Sequence, residues 1–129
     1  MSHTTFFVTF LFYLLVIQIG IAGLFYGMGH LFNTEQVAKY IGWESNQFQK
    51  EVGYADLALG ILGVMCKWFH GEFRIAVAIA TAVFWCGAGF VHIEDIRKNK
   101  NHNTGNGWNH VIFSNFLVPL ITLLLVSTT

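Results

Sequence analysis

Four long apolar stretches occupy most of the chain, at residues 6–32, 48–66, 73–93 and 110–126. Each approaches or exceeds the roughly 20 residues that a helix needs to cross the hydrocarbon core of a bilayer. Few charged residues interrupt these stretches, and they lack the polar outer face that a soluble bundle requires. Because lipid offers no hydrogen bonds to an open backbone, a spanning segment must be helical. The pattern predicts an all-α integral membrane protein with four spans.

Short connections separate the four predicted helices, which favours an up-down-up-down four-helix bundle. Residues 1–129 are expected to form one transmembrane domain, because four spans and three loops leave no room for another module. The composition agrees, since 54% of the residues are apolar, 11% are charged and the formal net charge is zero. A neutral chain argues against nucleic acid as a partner. The expected partners are membrane lipid and either further copies of this chain or other subunits of a membrane complex.

The basic residues predict the orientation in the membrane. Five of the seven fall on the side opposite the two termini: Lys39, Lys50, Arg97, Lys98 and Lys100. Only Lys67 and Arg74 fall on the same side as the termini. Cytoplasmic loops carry the excess of basic residues in membrane proteins. The 33–47 and 94–109 loops are therefore expected in the cytoplasm, with both termini outside.

These two loops have different compositions. In the first, apolar residues alternate with polar ones around Tyr40 and Trp43, which predicts a short helix lying in the membrane interface. The other is rich in Asn and Gly over residues 99–107, and these residue types tolerate left-handed backbone. That composition suits either a mobile linker or an ordered cap over the end of the bundle.

Small residues recur at helical spacing on the predicted helices. Six glycines form two stripes, one on each of the first two helices: Gly20, Gly23, Gly27, Gly53, Gly60 and Gly63. Steps of three and four residues place side chains on one helix face. Small faces allow membrane helices to approach closely. These glycines are expected at helix–helix contacts.

Polar side chains within the helices collect in the cytoplasmic half of the predicted bundle. Six of them are the candidate site residues: His30, Glu51, Asp56, His92, His110 and Asn115. A charged side chain in the hydrocarbon region costs about 2.5–3.5 kcal/mol on insertion scales, which makes Asp56 the strongest candidate. We predict that the six form one ligand or proton site. In the structural alternative, Asp56 is a hydrogen-bonded carboxylate that sets helix register, and the histidines cap backbone groups or face headgroups.

No cofactor or catalytic residue is assigned by motif. Histidine and carboxylate side chains suit zinc, iron or manganese, and His30 and His92 are the candidate metal or haem ligands. The characteristic ligand spacings are absent, as are a nucleophile elbow, a glycine-rich phosphate loop and a Cys-x-x-Cys pair. A metal ion, a haem and a quinone all stay open as cofactors.

Several segments of the chain resemble one family. They are Gly42-Trp43, residues 48–63, His92-Ile93 and Gly105-Asn106. From about residue 27 onward the chain is similar to small bacterial four-span membrane proteins of unknown function. The resemblance implies importance for Glu51, Asp56 and His92, and a location in the bacterial inner (plasma) membrane. In that membrane, the orientation predicted from the basic residues makes both termini periplasmic. It departs at Val91, where the family usually has a small residue.

A looser resemblance connects the chain to DoxX-like membrane proteins through architecture and glycine placement. Some of those proteins are small membrane subunits associated with quinone-linked sulfur oxidation. This likeness implies a quinone as one candidate ligand, and it carries no residue-level assignment.

Three functions remain open. The first is a binding or auxiliary subunit that holds a small molecule, ion or quinone in a polar pocket at the cytoplasmic end. The second is a membrane oxidoreductase or other lipid-phase enzyme with Asp56 and His92 as acid and base. The third is an oligomeric transporter of protons or small solutes, although the chain has no broken helix or inverted repeat. The first requires the fewest unobserved features.

Overall fold

The computed structural model describes residues 3–128, and these residues form helices and turns without any strand. The prediction of an all-α protein is therefore confirmed. This part of the chain forms five helices: α1 His3–Phe32, α2 Thr34–Ile41, α3 Gln47–Met65, α4 Glu72–Asn99 and α5 Trp108–Val126. A 3₁₀ turn, Thr104–Asn106, lies between α4 and α5. Parts of α1 and α5, Tyr13–Ile21 and Val111–Leu117, are wound as π-helix.

Three of these helices, α1, α4 and α5, are long and apolar enough to cross a membrane. They indicate a membrane protein. The 19-residue helix α3 is not among them. Its sequence carries three ionisable residues, Lys50, Glu51 and Asp56, which reduce its apolar character. Four spans in an up-down-up-down bundle thus remain a prediction.

Helix α4 extends beyond the apolar stretch that predicted it. The stretch ends at residue 93, whereas α4 continues to Asn99. Glu94 and Lys98 form an ion pair one turn apart on the added segment. Ion pairs between residues four positions apart stabilise a helical segment whose surroundings are polar. The extra turns carry Asp95 into the polar region beyond the predicted span.

Helices α1 and α3 pack backbone against backbone. A Cβ atom added at Gly60 would lie 2.5 Å from the backbone nitrogen of Leu24, and one at Gly63 would lie 2.6 Å from that of Gly20. Later positions in α1 meet earlier positions in α3, so the two helices run antiparallel. All six glycines of the two predicted stripes lie in this contact: Gly20, Gly23, Gly27, Gly53, Gly60 and Gly63. We call these helices the α1/α3 pair.

Helices α4 and α5 form a second antiparallel pair, the α4/α5 pair. A Cβ atom added at Gly89 would lie 2.6 Å from the ring of Phe116. Nearby, the amide nitrogen Nδ2 of Asn115 donates a hydrogen bond of 3.0 Å to the carbonyl oxygen of Trp85. The second pair is therefore joined by side chains and not by glycine backbones alone.

The helix backbones of the two pairs come closest near the termini. There the Tyr13–Ile21 part of α1 contacts Val118–Val126 of α5 and also α4. Leu15 and Ile19 are fully buried in this core. The Ala22–Phe32 part of α1 instead packs mainly on α3 and α2. The pairs diverge toward the end that carries residues 33–46 and 100–107, which we call the asparagine end.

Gly60→Ala is expected to destabilise the protein by about 1–3 kcal/mol, because the added methyl group overpacks a backbone contact. The matched control is Gly87→Ala, since no heavy atom lies within 4 Å of a Cβ atom added there. Thermal unfolding of both variants in detergent, followed by circular dichroism, measures the difference. Equal melting temperatures for Gly60→Ala and the wild type would contradict the described contact.

Candidate functional site

A cavity of about 620 Å³ lies where the two helix pairs diverge. Every helix contributes to its lining, which is largely aromatic and aliphatic. Five of the six candidate site residues line it: His30, Asp56, His92, His110 and Asn115. The cavity therefore brings together polar side chains from α1, α3, α4 and α5.

Glu51 is the candidate residue that the structure does not bring to the cavity. Its side chain is exposed on α3, and it is not part of the lining. Asp56 is five positions further along the chain, which places the two side chains about 140° apart around the helix axis at 3.6 residues per turn. Residues that share a helix end need not share a helix face.

Asp56 lies on the inner face of α3 and is only 5% exposed. Its Oδ1 accepts a hydrogen bond of 2.9 Å from the indole nitrogen of Trp85. Among residues 3–128, no Lys, Arg or His nitrogen lies within 4.0 Å of this carboxylate. A buried carboxylate normally has a cationic or multiply hydrogen-bonded environment. Within the described residues, Asp56 has one hydrogen-bond donor, and that donor is neutral.

Trp85 connects three helices at the centre of the molecule. Its indole reaches Asp56 on α3, and its carbonyl oxygen accepts the hydrogen bond from Asn115 on α5. Its ring also contacts that of Tyr26 on α1 edge to face, at a centroid distance of 6.0 Å. This side chain therefore forms a wall of the cavity and fixes the position of the Asp56 carboxylate.

His92 is oriented by a chain of hydrogen bonds from the asparagine end. Its Nδ1 lies 2.5 Å from Oδ1 of Asn106. The Nδ2 group of Asn106 donates to Asp95, at 3.0 Å, and to the carbonyl oxygen of Asn101, at 2.9 Å. These two acceptors use the amide hydrogens, so the amide oxygen faces His92. In the neutral ring, Nδ1 then carries the hydrogen and Nε2 keeps its lone pair.

Two further rings hold His92 in place. The indole of Trp43 stacks on the imidazole with a centroid distance of 4.9 Å and an angle of 12° between the planes. His110 approaches from α5 with its ring nearly perpendicular, at 6.5 Å. The His110 ring in turn meets the edge of Tyr26 at 6.4 Å. The imidazoles of α4 and α5 are thus parts of one aromatic cluster.

The loop after α4 is an ordered cap. Nδ2 of Asn101 donates to the carbonyl oxygen of Ile41, at 2.9 Å, and to Asp95, at 2.7 Å. The Trp43 indole donates to the same Asp95 carboxylate, also at 2.7 Å. Gly42, with a φ of 90°, ends α2 and directs the chain toward this network. Of the two alternatives for the Asn-rich loop, the structure shows the cap.

Two polar atoms in the cavity wall have no partner within the described residues. They are Nδ1 of His30 and Oδ1 of Asn115, both buried. Buried polar atoms are nearly always hydrogen-bonded, so each such atom is a position where a bound molecule or water can be recognised. Asn115 lies in the π-helical part of α5, a conformation that is frequent at functional sites.

The cavity does not assemble a cluster of metal ligands. Within residues 3–128, no group of three or more His, Cys, Asp or Glu side chains is placed to hold a metal ion. His30 and His92 both line the cavity. The rest of the described lining is mostly apolar or aromatic, and its few polar side chains do not complete a set of metal ligands. The arrangement suits recognition of a mostly apolar organic molecule.

Sequence reasoning missed Trp85, Trp43 and Asn106 as site residues. Trp85 shares a helix face with His92, and a buried indole N–H needs a partner, which the carboxylate of Asp56 supplies. Trp43 and Asn106 belong to the segments that carry the family resemblance. Their roles depend on contacts between α4 and loops distant in sequence, which spacing alone does not reveal.

The chain belongs to a family of unknown function (DUF6790), whose model matches residues 2–129. The match includes α1, which the resemblance noted from the sequence did not cover. No curated protein and no solved structure matches the chain. The looser likeness to DoxX-like proteins is therefore not supported.

Asn106→Ala is expected to destabilise the protein by about 1–3 kcal/mol, because Asp95 and His92 lose buried hydrogen-bond partners. The control is Asn109→Ala, whose side chain is exposed at the start of α5. Thermal unfolding measures the stability, and ¹⁵N NMR of the imidazoles reports the tautomer of His92. A wild-type melting temperature together with an unchanged tautomer would contradict the orienting role of Asn106.

Proposed function

We propose that this member of a family of unknown function is a multi-pass membrane protein that binds a small, largely apolar molecule in the cavity between its helix pairs. The cavity itself carries the proposal. Ligand sites typically combine apolar walls with a few convergent polar groups. Here the largely aromatic and aliphatic lining includes Asp56, His30 and Asn115, and the last two each have a buried atom without a partner among the described residues.

The proposed setting is the bacterial inner membrane, with α3 as a fourth span beside α1, α4 and α5. Large apolar side chains face outward on all four, including Phe25, Phe48, Val83 and Leu124. Partly exposed indoles occur near opposite ends, with Trp108 at the asparagine end and Trp68 at the other. This distribution agrees with interfacial tryptophan belts.

The surroundings of α3 support its assignment as a span. Lys50 and Glu51 lie near its beginning, within reach of headgroups, whereas Asp56 is shielded by the other helices. The backbone contact with α1 also favours a common direction normal to the membrane for both helices. In this proposal the four spans form an up-down-up-down bundle.

The cavity is accessible from the side of the bundle. Its lining includes Phe25 of α1, which is 74% exposed, and Val83 of α4, which is 72% exposed. Gly87 and Val91 continue the same exposed edge of α4. Apolar residues frame this opening, so a ligand would enter from the lipid. We propose that the protein serves as a binding or auxiliary subunit, as a homo-oligomer or within a larger membrane complex.

A lipid-phase enzyme is the second candidate function. The observation in its favour is the orientation of His92, whose Nδ1 is held by Asn106 and whose Nε2 has a free lone pair in the neutral tautomer. Such an imidazole can accept a proton from a bound substrate. Asp56 is hydrogen-bonded to Trp85 and would act separately from His92.

A reporter fused after Thr129 is expected to be periplasmic, because the loops with most basic residues lie together at the opposite end. The bond between Asn101 and Ile41 joins those two loops. Alkaline phosphatase and green fluorescent protein fusions at this position show on which side of the membrane the C-terminus lies. Fluorescence without phosphatase activity would reverse the proposed orientation.

Gly87→Trp is expected to displace the bound molecule, because the indole would extend into the opening of the cavity, where a Cβ atom meets open space. Ala80→Trp is the matched control. Residue 80 is seven positions earlier on nearly the same face of α4, is exposed and does not line the cavity. Native mass spectrometry of protein released directly from membranes detects the retained molecule. Equal retention by Gly87→Trp and Ala80→Trp would contradict binding in this cavity.

A further inference from the structure

Asp56 gives the cavity a distinct electrostatic character. It is the only Asp, Glu, Lys or Arg among the residues that line the cavity. Its single described hydrogen bond comes from a neutral indole, and no cationic side chain of residues 3–128 lies within 4.0 Å. In a low-dielectric environment, an ionised carboxylate is strongly stabilised by an opposite charge. The described lining residues do not provide an opposite charge beside Asp56, so a ligand can provide it.

The histidines of the cavity do not pair with Asp56 in the described structure. Asn106 holds His92 through Nδ1, which leaves a lone pair and not a hydrogen on Nε2 of the neutral ring. No imidazole nitrogen of the described residues lies within 4.0 Å of the Asp56 carboxylate.

Aromatic side chains form much of the lining of the cavity that holds the carboxylate. The indole of Trp85 donates a hydrogen bond to Asp56, and the centroid of the Tyr26 ring lies 6.0 Å from that of the Trp85 ring. The remaining walls include Phe25, Tyr40, Trp43 and Phe84. The negative faces of aromatic rings attract organic cations, and the attraction is stronger at desolvated sites. One carboxylate with several aromatic rings is a suitable environment for an ammonium-type group.

The lateral opening of the cavity indicates the chemical character of the uncharged part of the ligand. Phe25 and Val83 frame it with apolar surface that faces outward. A molecule that enters from lipid needs an apolar body as well as its charge. A zwitterionic phospholipid headgroup fits less well, because its phosphate would find no Lys or Arg in the lining.

We propose that the cavity binds a lipophilic organic monocation, with its charged group beside Asp56 and its apolar body between α1 and α4. This inference rests on the proposed function, since it names the chemical class of the molecule that the cavity holds. An amine or quaternary ammonium group on a hydrophobic scaffold meets each of the observed features.

Three probes of similar shape test the charge preference: tetraphenylphosphonium, the anion tetraphenylborate and neutral tetraphenylsilane. Each is titrated into the purified full-length protein in detergent, with empty micelles as the blank. Quenching of tryptophan fluorescence reports binding, because Trp85 and Trp43 line the cavity. The phosphonium cation is expected to bind most tightly, and excess phosphatidylethanolamine is expected not to displace it.

Asp56→Asn is expected to weaken phosphonium binding about tenfold or more, a loss of 1.4 kcal/mol or more, because the charge is removed while the acceptor for Trp85 is kept. Glu51→Gln is the matched control, since it removes a carboxylate from the exposed side of the same helix. This variant is expected to bind phosphonium as the wild type does.

The outcomes separate the two proposals. Equal binding of cation, anion and neutral probe by the wild type would overturn the cation preference while leaving a ligand-binding cavity in place. Wild-type affinity in Asp56→Asn, or displacement by phosphatidylethanolamine, would also overturn it. If none of the three probes shows saturable binding that Gly87→Trp abolishes, the proposed binding function fails as well. The probe comparison in the wild type requires no variant to fold.

Discussion

The direct backbone contact between α1 and α3 is the interaction on which the rest of the structure depends. Glycines on both helices make it possible, because a methyl group at Gly27 or Gly60 would collide with backbone atoms of the facing helix. The α4/α5 pair uses larger side chains, and its backbones come closest to the first pair near the termini. Unequal packing at the two ends leaves the cavity between the pairs.

The asparagine end closes the molecule through amide side chains. An asparagine amide both donates and accepts, so Asn106 can join His92, Asp95 and a loop carbonyl at the same time. Asn101 makes an equivalent connection to α2. Networks of this kind specify one arrangement when all members are satisfied. They explain how a polar loop can orient an imidazole that faces an apolar cavity.

The cavity contains a carboxylate that the described residues solvate only in part. Trp85 satisfies one oxygen of Asp56 and also forms the wall beside it. A soluble protein could supply water to such a group, but lipid cannot. This arrangement is the basis of the proposed role in recognition, since a structural carboxylate is usually paired within the fold.

The sequence by itself determined the helical class, the approximate helix positions and the glycine faces, because apolar length and residue spacing are local properties. It also identified Asp56, His30 and His92 as polar residues at one level, and the structure places all three around one cavity. It did not distinguish Glu51 from these residues, because the position of a residue along a helix does not specify which face of the helix it occupies. The extension of α4, the Trp85–Asp56 bond and the orientation of His92 by Asn106 were decided only by tertiary structure. Each depends on contacts between residues far apart in the chain, and local patterns carry no information about which distant partner satisfies a polar group.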